Sequence, residues 1–146
     1  MKILLAYDGF AHSDDALATA AELAEAPETE ITILSVVPPD ARASKSGGHV
    51  GLRPHAHEDV ARAHAFLRER GIESTMQMEQ GEPTNEIVRV AREGSYDLIV
   101  AGSRGLGPVG ELLLGSVSKA IVRQAPCAVL VVAKDASARF EPVAST

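Results

Sequence analysis

The chain has 146 residues, 45% hydrophobic but only 3% aromatic, which suits one domain spanning 1–146 with a core of Val, Ile, Leu and Ala. Its formal net charge of −6 argues against nonspecific binding to nucleic acid or to an anionic membrane, whose phosphates it would repel. A phosphate bound here has to be captured locally, by backbone dipoles rather than by a basic surface.

Ile3 to Tyr7 is a continuous apolar run, the pattern of a central parallel strand. The opening segment is too short for a signal peptide or a membrane span, and no later segment qualifies, so a cytoplasmic protein is expected. Ser13 to Ala24 carries Ala16, Leu17, Ala20, Leu23 and Ala24 at helical spacing. Ser13 is the expected cap, Asp14 and Asp15 suit the positive end of the first turn, and Pro27 is the expected stop. Ile31 to Val37 reads as the second strand, halted by Pro38-Pro39. Residues 40–54 have no periodicity and a high turn content. They are expected to form a mobile loop, either functional or a tolerated insertion.

His57 to Arg70 places Val60, Ala63, His64 and Leu67 on one helix face and is closed by Gly71. Ile72 to Glu79 alternates apolar or small residues with polar ones, as a half-exposed edge strand would. Pro83 presets a third helix with the face Ile87, Val88, Ala91, ended by Gly94-Ser95. Tyr96 to Ala101 is the fourth strand, Ser116 to Gln124 the fourth helix and Cys127 to Ala133 the fifth strand. Residues 135–146 form a tail expected to fray. This alternation of strands and helices calls for a parallel sheet with right-handed crossovers.

Cys127 is the single cysteine, so no intrachain disulfide exists, which fits a reducing compartment; the residue reads as a small hydrophobe rather than a reactive thiol. His49, His55 and His57 lie close in sequence, but no second cluster of ligand residues accompanies them, so solvated side chains are expected. His64, on the apolar face, is expected to be a satisfied, partly buried histidine. Glu22, Glu25, Glu28 and Glu30 read as a solvated helix face and its exit loop.

The chemistry concentrates in residues 101–118, A-G-S-R-G-L-G-P-V-G-E-L-L-L-G-S-V-S. A strand opening into glycines and then a helix start is a place where α/β proteins bind phosphates, at free N–H groups and the positive end of a helix dipole. Gly110 and Gly115 have the glycine spacing of a Walker A loop, but Ser116-Val117 follows where Lys-Ser is required, which excludes it. Gly105, Gly107 and Gly110 match G-x-G-x-x-G. That motif belongs at the start of a first βαβ unit, and here only one strand remains after it.

Gly102, Gly105, Gly115 and Ser116 fit a third pattern, G-x2-G-x9-G-[ST]. With Tyr7-Asp8-Gly9, Ser35-Val36-Val37-Pro38, Gly81-Glu82-Pro83, the run from Tyr96 to Gly105 and the run from Ala125 to Val132, the chain resembles the universal stress protein family along nearly its whole length. Phe10 departs from the small polar residue that the family commonly has after Asp-Gly. The resemblance implies a Rossmann-like, five-stranded, mostly parallel α/β sheet of order 3-2-1-4-5 with helices on both faces. It also implies ATP binding and a homodimer through the last strand, Cys127 to Ala133. Carried over by position, Ala6, Asp8 and Val36 lie around the adenosine, with Asp8 near the ribose or a bound Mg²⁺. Ala101, Gly102, Gly105, Gly115, Ser116, Val117 and Ser118 surround the ribose and phosphates.

The residues themselves agree with this. The N–H groups of Ser116 and Val117 are expected to be free donors, and the Ser116 and Ser118 hydroxyls to add two more. Blander alternatives stand beside these: Asp8 as a turn residue with Gly9, Gly102 and Gly105 as plain loop, Gly115-Ser116 as only a helix cap. There is no G-x-S-x-G elbow, no H-x-G-H pattern and no general base paired with a nucleophile. The expectation is an ATP-binding stress-response regulator that recognises a protein partner in its nucleotide-bound form. An enzyme that slowly hydrolyses ATP or transfers adenylate on the same scaffold, and an interaction module with an empty crevice, are the alternatives.

Overall fold

The computed structural model describes residues 1–8, 11–37, 39, 56–103 and 115–133. Within them the order is β1 (Lys2–Ala6), α1 (Ala11–Leu23), β2 (Glu30–Val37), α2 (Ala56–Arg68), β3 (Ser74–Gln80), α3 (Pro83–Glu93), β4 (Leu98–Gly102), α4 (Ser116–Gln124) and β5 (Ala128–Val132). The strands form one sheet of order β3-β2-β1-β4-β5, as the family resemblance implies. Each neighbouring pair is parallel, so the sheet is wholly rather than mostly parallel. The residues expected to form a mobile loop (40–54) and a frayed tail (135–146) lie outside the described residues.

β1 is apolar at every core position because both of its faces are covered. Ile3, Leu5 and Tyr7 pack with Ala16, Leu17 and Ala20 of α1 and Val60, Ala63 and Leu67 of α2. Leu4 packs on the opposite face with Ile87, Val90 and Ala91 of α3 and Ile121 of α4. Ile3, Leu4 and Leu5 have no exposed surface, and burying each such side chain contributes about 1.5–3 kcal/mol. The four helices thus divide into two pairs, one on each side of the sheet, as a doubly wound topology requires.

Element ends depart from the sequence expectation where side chains found other partners. α1 begins at Ala11, so Ser13 lies inside its first turn and is not its N-cap. The Ser13 hydroxyl is bonded to Asp8 instead. Pro27 does not stop α1, which ends at Leu23. The chain tightens there through Glu25 N–H to Glu22 O and Ala26 N–H to Leu23 O, the i→i−3 bonds typical of a last turn. α2 closes as expected: Gly71 takes φ +75°, and the Gly71 and Ile72 N–H groups bond Arg68 O and Leu67 O.

β3 is the outer edge strand, but its alternation does not divide it into a buried and a solvated face. Met76 is 50% exposed, while Glu79 is held by Arg89 of α3 at 2.8 Å. An edge strand has a neighbour on one side only, so side chains on both faces keep partial access to water. His64 behaves as expected, with Nδ1 2.7 Å from the Ser74 hydroxyl. Among the described residues no helix is long and apolar enough to cross a membrane.

Candidate functional site

Two neighbouring strands leave the sheet in opposite winding directions at β1 and β4. Their last paired residues, Leu5 and Val100, are opposite each other, so Ala6 and Ala101 follow at the same level. In α/β sheets the crevice beyond such strand ends is where ligands bind. Val36 lies at the same end of β2, two residues past Leu34, which pairs with Ala6. Ala6, Val36 and Val117 all pack, partly buried, against the apolar cluster beneath α3 and α4. Three residues distant in sequence thus meet on one apolar cluster.

The wall on the β4 side is built by α4. Gly115 is its N-cap, with φ −66° and ψ 162°, and among the described residues no side-chain hydrogen bond caps this end. That conformation is open to any L-residue, so the glycine is not required by its backbone angles. What glycine leaves out is a capping side chain. Ser, Thr, Asp or Asn at this position would commonly turn a side-chain oxygen onto the first N–H groups. The first helical bond recorded at this end runs from Lys119 N–H to Gly115 O, 3.0 Å. The N–H groups of Ser116, Val117 and Ser118 precede it, where a helix supplies them no partner of its own.

Ser116 is exposed at the start of α4, whereas Ser118 is buried. The Ser118 hydroxyl donates to Gly102 O at 3.1 Å, which corrects the expectation that it adds a free donor. Its hydrogen bond ties the helix start to the end of β4. Beside it, Ser103 N–H donates to Val132 O at 2.8 Å, carrying the β4–β5 pairing past the strand ends. Gly105 and the rest of residues 104–114 lie outside the described residues.

Asp8 follows β1 at the mouth of the crevice. Its backbone N–H donates to the Ser13 hydroxyl at 3.1 Å, and that hydroxyl donates back to its Oδ1 at 2.6 Å. Ser13 is 2% exposed. Sequence reasoning missed this pairing because it assigned Ser13 to the cap. A carboxylate just past a strand and a hydroxyl five residues on, at the start of a helical pattern, were the only sign in the chain. One residue to either side, the Tyr7 hydroxyl donates to Asp14 Oδ1 at 2.6 Å. Burial, the hydrogen bond to Asp14 and its charge push the Tyr7 phenol up to about 12, against the opposing pull of Arg62.

That shift has a stability consequence. The folded phenol holds its proton more tightly than the unfolded one at 10.0, so its contribution is complete below pH 10 and is lost as pH rises through about 12. Two pH units correspond to about 2–3 kcal/mol. Tyr7→Phe should therefore lose about that much less stability than the parent between pH 9 and pH 12 in urea unfolding. Equal losses would show that Tyr7 does not titrate there.

Among the described residues no three His, Cys, Asp or Glu side chains converge to hold a metal ion. Burial and the Asp97 carboxylate push the Cys127 thiol up, which disfavours the reactive thiolate.

With the geometry in place, the comparisons with known proteins agree on one lineage. Residues 1–133 match the model of the Universal stress protein family. A universal stress protein of Thermus aquaticus is 36% identical over 132 residues, covering 89% of this chain and 96% of that protein. The solved universal stress protein of Archaeoglobus fulgidus is 26% identical, covers 90% of this chain and 98% of its own, and superposes with a TM-score of 0.76. A universal stress protein solved in complex with cAMP has the same fold, at 24% identity and a TM-score of 0.72, over 92% of this chain and 97% of its own.

Proposed function

Since the chain belongs to the universal stress protein family, we propose that it is an adenine-nucleotide-binding regulator, with ATP as its ligand. The observation that carries the reading is the start of α4. A glycine with no conformational need occupies the cap, no side-chain hydrogen bond closes the end among the described residues, and the helix start is tied to the end of β4 by Ser118. Main-chain N–H groups there, with the helix dipole behind them, favour an anion by electrostatics that a net charge of −6 cannot supply from the surface. Ala6 and Val36, partly buried on one apolar cluster, are the side chains that would meet an adenosine. The relative holding cAMP shares the fold, and for this chain the nucleotide reading rests on its own residues.

The residues fit ATP better than a dedicated metal cage. Mg²⁺ commonly binds through one or two carboxylates together with nucleotide phosphates, and Asp8 is the carboxylate at this mouth. When bound, such an ion neutralises phosphate charge. The reading is of a cytoplasmic protein, in keeping with its single cysteine, which passes its nucleotide state to a protein partner as a population shift. It pairs with a second copy through β5.

The test is to purify the protein, identify any retained ligand by mass spectrometry, and titrate ATP, ADP and AMP by thermal shift. Ligand at about 100 times its Kd should add about 2.7 kcal/mol of stability. Stoichiometric intact ATP after timed incubation with Mg²⁺ is the expected result. Steady product formation would make the protein an enzyme, and no stabilisation by any of the three would leave an interaction module.

A further inference from the structure

Resting on the nucleotide reading above, we propose that Ser13 is a positioning residue for the site, acting through Asp8. The Ser13 side chain is buried in the first turn of α1 and spends both of its hydrogen-bonding sides on one residue. Its O–H donates to Asp8 Oδ1 at 2.6 Å while its oxygen accepts the Asp8 N–H at 3.1 Å. A hydroxyl–carboxylate bond of this length is charge-assisted and among the stronger side-chain hydrogen bonds. The reciprocal pair fixes the Asp8 backbone and carboxylate against each other.

The clasp is reinforced from the side. Tyr7, 3% exposed, donates to Asp14 at 2.6 Å, so consecutive residues 7 and 8 are held by consecutive residues 14 and 13. α1 is itself pinned to the sheet by Ala16, Leu17 and Ala20, which are buried against β1. Ser13 is therefore a fixed point on a packed helix, and Asp8, beyond the last residue of β1, takes its position from that point. A polar group that meets a ligand from a preset orientation loses less freedom on binding than one that must be ordered then. Ser13 itself does not have to touch the nucleotide.

The experiment is a double-mutant cycle on ATP affinity, read by calorimetry, with Ser13→Ala, Asp8→Ala and the double variant, and with Ser13→Thr as the hydroxyl-retaining control. Ser13→Ala should weaken ATP about tenfold, and Ser13→Thr should stay within about threefold of the parent. In the Asp8→Ala background, Ser13→Ala should change the affinity by less than about twofold, because its effect passes through the missing carboxylate. A structural role alone would give the same loss in both backgrounds and would overturn the proposal, as would an unchanged affinity in Ser13→Ala. If Asp8→Ala binds too weakly to titrate, the Ala and Thr variants at position 13 decide: equal affinities overturn the proposal. A parent protein that binds no ATP defeats the nucleotide reading itself, which is a separate outcome from a parent that binds while Ser13 proves indifferent.

Discussion

Gly115→Val should weaken ATP binding by about 100-fold or more while the protein still folds. The backbone at Gly115 has φ −66° and ψ 162°, which a β-branched residue adopts without strain, so the helix start has no conformational reason to reject valine. The side chain would occupy the approach to the N–H groups of Ser116 and Val117. Those groups would then be shielded from a phosphate and from the dipole's favourable field. Calorimetry against ATP checks the affinity, and the thermal unfolding midpoint checks the fold. Equal affinity in the two proteins would remove Gly115 from the site. A collapsed midpoint would show that the glycine serves the scaffold.

The second large effect is expected at the other edge of the sheet. β5 pairs only with β4 among the described residues, which leaves its outer edge of N–H and C=O groups open to another strand. Leu130 of β5 is 36% exposed, so apolar surface lies on that strand. A second copy pairing across a twofold axis would satisfy the edge and cover this surface. Val131→Lys should weaken such a dimer by about 100-fold or more, because the twofold axis repeats each introduced charge in one interface.

Val131 is the better position for this test than Val129, since Val129 also packs against the cluster beneath α4 and its loss would disturb the monomer. Light scattering should report a parent dimer and a Val131→Lys monomer. A variant that stays dimeric, or a parent that is monomeric, would refute pairing through β5.

Much of this architecture was legible in the chain because its signals are local. Ser116 to Gln124 reads as a helix from its spacing and is one in the structure. Pro83 presets α3 and occupies its first turn, with Glu82 accepting the Thr84 and Asn85 N–H groups. The unbroken apolar run at Ile3 to Leu5 announces a strand buried on both faces, and both faces are buried. Covalent sterics and the period of side chains decide such features within a few residues.

The misreadings share one cause. Ser13 is a good cap by type and Ser118 a good phosphate donor by type, yet the first bonds Asp8 and the second bonds Gly102. Residue type states which hydrogen bonds a side chain can make, and only the arrangement of distant segments states which partner is within reach. Periodicity and punctuation in the chain were enough to specify the strands and the helices. The pairing of Ser13 with Asp8, the tie from Ser118 to Gly102 and the meeting of Ala6, Val36 and Val117 on one cluster required the assembled sheet. Buried polar groups bond to whatever packing brings within about 3 Å, and packing is a property of the whole chain.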